Sequence, residues 1–125
     1  MKILSVDDSS IVRKIMRGAV EVLEFELLEA EEGNQALEVL EKEREDIVLI
    51  LLDWNMPGMD GYHFLKTVKS HKDYKDIPVM MVTTESEKEN IVKAIKAGAI
   101  HYMVKPFTME ELITKIMECL GRGEG

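Results

Sequence analysis

The chain has 125 residues and is short of several things, and each shortage closes off a class of protein. It has one cysteine, Cys119. No internal disulfide can form, which fits a reducing compartment and a cytoplasmic protein. No apolar run approaches the roughly 20 residues that a membrane-crossing helix needs. The N-terminus, MKILSVDDSS, turns acidic after five residues, unlike a signal peptide. Positive charge is scarce: 16 Lys and Arg stand against 24 Asp and Glu, a net charge of −8. Such a surface repels DNA and RNA. Repeats, low-complexity tracts and linkers are missing too. One domain over residues 1–121 is therefore expected, followed by a flexible tail at 122–125 and no effector domain.

What is there alternates. KILSV (2–6) reads as a short strand, and residues 9–23 carry Val12, Ile15, Ala19 and Leu23 at helical spacing. FELLEA (25–30), with Glu26 and Glu29 among apolar residues, reads as a sheet-edge strand. A helix follows over 34–44 with Ala36, Leu37 and Leu40 on one face, the run EKERE (41–45) being its solvated end. DIVLILLD (46–53) holds six consecutive apolar residues without alternation, the mark of a strand covered on both faces. Residues 60–70 predict a third helix with Phe64, Leu65 and Val68 inward, and IPVMMVT (77–83) a fourth strand with Pro78 near its start. A fourth helix over 86–97 turns Ile91, Ala94 and Ile95 inward and stops at Gly98. IHYMVK (100–105) is the fifth strand. TMEE (108–111) is a capping box for a last helix with Leu112, Ile116, Cys119 and Leu120 on one face. Five strands alternating with five helices through short loops mean right-handed crossovers and a parallel sheet covered on both faces. The fold class is doubly wound α/β.

In such a sheet ligands bind outside the carboxyl ends of the strands. Those ends are polar here: Asp7 and Asp8 after the first strand, Asp53 after the third, Thr83 after the fourth, Lys105 at the fifth. Three neighbouring carboxylates repel one another unless a cation joins them. Mg²⁺ suits the donors, being a hard ion that needs only one or two carboxylates and keeps its waters. An ionised Asp is a covalent nucleophile that forms an aspartyl phosphate. Lys105 is the point cation for the phosphoryl charge, and the Thr83 hydroxyl a donor to its oxygens. Catalysis is then a matter of positioning and charge neutralisation.

The motifs VDDSS (6–10), LLDWNMPGMDG (51–61), VTT (82–84), KAGA (96–99) and YMVKPF (102–107) resemble those of the receiver domain of bacterial response regulators, above all its single-domain chemotaxis members. The resemblance spans residues 1–120. It implies a flavodoxin-like (βα)5 sheet of order 2-1-3-4-5, the strand order of chemotaxis receivers. It implies Asp53 as the phosphoacceptor. Asp8, Asp53 and the Asn55 carbonyl become Mg²⁺ ligands, with Asp7 acting through a metal-bound water and Mn²⁺ able to substitute. Thr83 and Tyr102 become a switch pair, in which an inward hydroxyl is followed by the aromatic ring. Lys105–Pro106 becomes a cis peptide, and Asn55 and Glu85 tune the phosphoryl lifetime. Thr84 is larger than the residue often found there in the family.

The implied partners are a histidine kinase as phosphodonor and an output protein on the face of the fourth helix, fifth strand and fifth helix. A flagellar motor switch protein suits that role, and VDDSS followed by Arg13 supports it; a phosphatase is a further partner. A monomer that neither binds DNA nor enters a membrane is expected, and it turns over no separate substrate. A standalone phosphorelay shuttle or phosphate sink would use the same site. A Mg²⁺-dependent phosphatase is less favoured, because Asn55 stands where such enzymes place a second acid. A flavin module is disfavoured by the two acids of VDDSS, which repel phosphate.

Ordinary readings stand beside these. Asp7 alone would pass for a helix N-cap, and Asp60 before Gly61 for a turn and cap residue. Trp54 reads as packing beside the acceptor, Tyr102 as a half-buried strand aromatic, and Cys119 as a core thiol. His63, His71 and His101 are scattered surface or strand-edge residues. The nine methionines are core filler.

Overall fold

The computed structural model describes residues 1–56, 58–84 and 88–121. The elements run β1 (Lys2–Val6), α1 (Ser10–Val22), β2 (Glu26–Ala30), α2 (Gly33–Glu43), β3 (Ile47–Asp53), α3 (Gly61–Ser70), β4 (Val79–Thr84), α4 (Lys88–Lys96), β5 (His101–Lys105) and α5 (Met109–Cys119). All ladder pairs are parallel, and the sheet order is β2-β1-β3-β4-β5. β3 lies in the middle, as its unbroken apolar run requires: Leu49, Ile50, Leu51 and Leu52 are fully buried. β2 is an edge, where its glutamates reach water.

Alternate residues of each strand feed two cores. Leu4, Val6, Ile50, Leu52 and Met81 face α2, α3 and α4. Ile3, Leu49, Leu51, Met80 and Val82 face α1 and α5. α1 is started by Ser9, whose side chain accepts the Val12 N–H. Asp60 caps α3 by accepting the His63 N–H. Thr108 and Glu111 form the full capping box of α5.

Several details differ from the sequence reading. Ile95 is exposed; α4 buries Ala94 fully, while Ile91 is half-buried. A helix seated through an alanine approaches the sheet closely but over a narrow strip, which leaves the flanking isoleucine outside. Cys119 and Leu120 are half-buried rather than core. The EKERE run is not wholly solvated: α2 stops at Glu43, whose carboxylate pairs with Lys2. β4 runs one residue further, to the exposed Thr84. The start of the fourth helix at 86–87, Glu85 and the tail at 122–125 lie outside the described residues.

Candidate phosphoryl site

Parallel strands send all their carboxyl ends to one rim, so the topology gathers what the sequence spreads over a hundred residues. Asp7 directly follows β1 and extends its pairing, its N–H donating to the Ala30 carbonyl at 3.0 Å. Asp53 is the last residue of β3 and pairs in register with Val82. That places Thr83 one step past the acceptor's ladder partner. Thr84 pairs with Lys105 across β4 and β5.

One oxygen each from Asp7, Asp8 and Asp53 lies within 4.8 Å of the others. Asp7 is fully buried and Asp53 nearly so, whereas Asp8 is open to water. Lys105 Nζ reaches Asp7 Oδ2 at 3.2 Å and Asp53 Oδ1 at 3.4 Å. The Lys105–Pro106 peptide is cis. Ser9 N–H donates to Asp7 Oδ1 at 2.7 Å, and Asn55 N–H to Asp53 Oδ1 at 3.3 Å. Asp7 is therefore not the N-cap of α1; Ser9 is, and Asp7 accepts the backbone N–H of that cap. The Ser-Ser of VDDSS before an apolar helix face was the available signal for it.

Burial, and then the charge of Asp7, push the Asp53 carboxyl up to about 6, while Lys105 and the Asn55 N–H pull the other way. One cation for three acids leaves the cluster under-neutralised. Among the described residues, Asp7 Oδ2 is buried without a hydrogen bond of good geometry, and the Lys105 ammonium lies 3.2 Å from it. A hard divalent cation fits this donor set: oxygen ligands only, one of them orphaned, with an open side at Asp8.

Thr83 is buried and its hydroxyl lies 3.5 Å from the Thr84 carbonyl. Tyr102 points outward and is 38% exposed, with Lys115 Nζ 5.7 Å from its ring centre. Trp54 is half-buried and packs on Tyr62, ring centres 5.6 Å apart. The three histidines sit apart from the site. His63 bonds Asp60, His71 stacks on Tyr74, and His101 contacts Glu118. Arg13 pairs with Glu31 on the outside of α1. Burial drives the Cys119 thiol up to about 11, so it is no nucleophile.

A family model described as the response regulator receiver domain matches residues 3–117. The chain belongs to that family. Receivers are phosphoacceptor signalling modules rather than enzymes with a separate substrate, and they imply a histidine kinase donor and an output partner. This receiver is 44% identical to the "Chemotaxis protein CheY homolog" of Campylobacter jejuni over all of this chain and 96% of that protein. It is 44% identical to "Chemotaxis protein CheY1" of Helicobacter pylori, covering 99% of this chain and 100% of the relative. The solved structure of chemotaxis response regulator CheY4 of Vibrio cholerae superposes with a TM-score of 0.86 at 34% identity, covering 94% of this receiver and 97% of that one. Among the described residues, no helix is long and apolar enough to cross a membrane.

Proposed function

We propose that this chain is a cytoplasmic, phosphorylation-switched signalling protein of the chemotaxis type, with Asp53 as its phosphoacceptor. The observation that carries the reading is the pairing of one lysine, Lys105, with two of three crowded carboxylates at the end of the central strand. Asp7, Asp8, Asp53 and the backbone carbonyl of Asn55 would hold Mg²⁺, or Mn²⁺ in its place. When bound, that ion supplies positive charge that keeps the acceptor ionised and neutralises phosphoryl oxygens. Asp53 then attacks the phosphorus of a kinase's phosphohistidine. The new O–P bond forms as the P–N bond breaks, and the imidazole takes up a proton. Lys105 moves its charge from the carboxylates to the phosphoryl group, and the Thr83 hydroxyl donates to one of its oxygens.

A ligand shifts a two-state equilibrium only by binding one state better. Here the differential contacts are those of Thr83 and Lys105, and the responding element is the Tyr102 ring, which faces outward in this state. On α4 and just before β5, Val92, Ile95 and Ile100 are also exposed apolar residues. Large apolar side chains left in water on this side of the molecule suit an output partner on the α4–β5–α5 face. The near-complete overlap with relatives named for chemotaxis favours a flagellar motor switch protein over a phosphorelay shuttle or a phosphate sink. Asn55 and Glu85 are the residues that tune the lifetime of the modification.

The test is chemical. With Mg²⁺ and a small acyl phosphate or phosphoramidate, the intact mass rises by one phosphoryl group, and Asp53→Asn abolishes the gain. A gain that survives the substitution sinks the assignment.

A further inference from the structure

The molecule carries a second charge cluster, of opposite sign to the rim. On the outer side of the sheet, between α3 and α4, a cleft of about 370 Å³ is lined by Tyr62, Lys66, Lys69, Ser70, Lys93 and Lys96. Four lysines thus share one cleft in a chain whose net charge is −8. Left without a counter-charge, such crowding costs free energy. Lys69 is not free to serve a ligand, because its ammonium donates to the Lys75 and Ile77 carbonyls at 3.0 and 2.7 Å. Its stem forms the wall, pressed so close to Gly98 that a Cβ there would lie 3.0 Å from Lys69 Cγ. Lys66, Lys93 and Lys96 are exposed and, among the described residues, have no carboxylate within ion-pair distance. Lys66 and Lys93 come from different helices, and their ammonium groups lie 4.8 and 4.6 Å from the Tyr62 ring centre.

We infer that this cleft is a binding site for a small polyphosphate-type anion. Three features select that class. The cleft is concave and of small-ligand size. Its cations are all lysines, which meet a phosphate as point charges. And Ser70, whose hydroxyl is a neutral donor, lines the same cleft.

The cleft is also wired to the phosphoryl rim. Tyr62, which Lys66 and Lys93 approach, packs on Trp54, and Trp54 is bonded to Asp53 in the chain and donates its N–H to the Val82 carbonyl at 3.1 Å. An anion that draws Lys93 from the ring therefore disturbs the chain's single tryptophan. The inference goes beyond the phosphoacceptor reading and stands if that reading fails.

The experiment titrates inorganic tripolyphosphate into the full chain, without divalent cation and at constant ionic strength. Trp54 emission and amide chemical shifts are the two readouts. Saturation is expected, with the largest shifts at residues 62–70 and 93–97. Lys66→Gln or Lys93→Gln should weaken binding by about threefold to fivefold each, the scale of an exposed ion pair. Asp53→Asn should leave it intact, which separates this site from the acceptor. Lack of saturation, shifts centred on Lys105, or affinity untouched by the lysine substitutions overturns the inference. So does saturation by an acidic peptide of equal charge with none by tripolyphosphate, which would make the cleft a protein contact.

Discussion

α1 and α4 cover opposite faces of the same sheet and are held very differently. α1 buries Val12, Met16, Ala19 and Val20 and begins on a side-chain cap at Ser9. α4 buries Ala94 and leaves Val92 and Ile95 in water. One helix is fastened by a row of four buried side chains; in the other, among the described residues, Ala94 is the one fully buried and Ile91 is half-buried. Elements with few buried contacts open and shift at the lowest cost. The difference locates mobility on the α4 side, next to the rim where the charges of Asp7, Asp53 and Lys105 are poised, and leaves α1 as fixed scaffold.

The contrast can be broken most severely from the α1 side. Met16→Ala should cost about 3 kcal/mol of stability in urea unfolding, the usual toll of a buried large-to-small change. An effect under about 1 kcal/mol would mean that α1 is no better seated than α4.

The rim itself comes next. Because burial and Asp7 raise the Asp53 carboxyl from 3.8 to about 6, the folded protein holds a proton there that the unfolded chain releases. Its contribution to stability is therefore lost as pH rises from about 4 to about 6, by up to ~3 kcal/mol in metal-free buffer. Asp53→Asn should remove that loss, so the variant gains on the parent as pH is raised from 4 to 7. Magnesium should raise the melting temperature of the parent at pH 7 and leave that of Asp53→Asn nearly unchanged. Parallel stability–pH curves for the two proteins would refute the crowding of charge.

Ser9→Ala should cost about 1 kcal/mol, through loss of the α1 cap. The backbone N–H that serves Asp7 survives the change, so magnesium affinity should hold. The smallest effect is expected at α4. Val92→Ser should stay within about 0.5 kcal/mol of the parent, while the α4 amides exchange with deuterium faster than those of α1. Equal protection of the two helices would erase the distinction.

Much of this is legible in the sequence. An apolar run that stops on one carboxylate identifies β3, and a parallel sheet then dictates that Asp7, Asp53, Thr83 and Lys105 share a rim. The caps at Asp60 and Thr108 follow from local spacing. What could not be read depends on how one helix sits against its neighbours. Periodicity puts Ile91, Ala94 and Ile95 on one stripe, but only packing decides how much of a stripe the sheet covers. The lysine cleft is similar. Lys66 and Lys69 on one helix and Lys93 and Lys96 on another each repeat at three residues, which reads as two solvated faces until α3 and α4 are set side by side. The Ser9 bond to Asp7 is less legible, because each of the four consecutive residues DDSS can cap a helix.

Gly61 opens α3 against the backbone of the acceptor: a Cβ there would lie 2.3 Å from the Asp53 carbonyl oxygen, and its N–H already donates to the Trp54 carbonyl. Helix and acceptor loop are in effect bolted together at that point, with no room for even a methyl spacer. When the acceptor gains its new group, the near bank of the site has nowhere to go, and the adjustment falls to the far bank, at the Thr83–Thr84 end of β4. A protein built this way has chosen in advance which of its walls will carry the message.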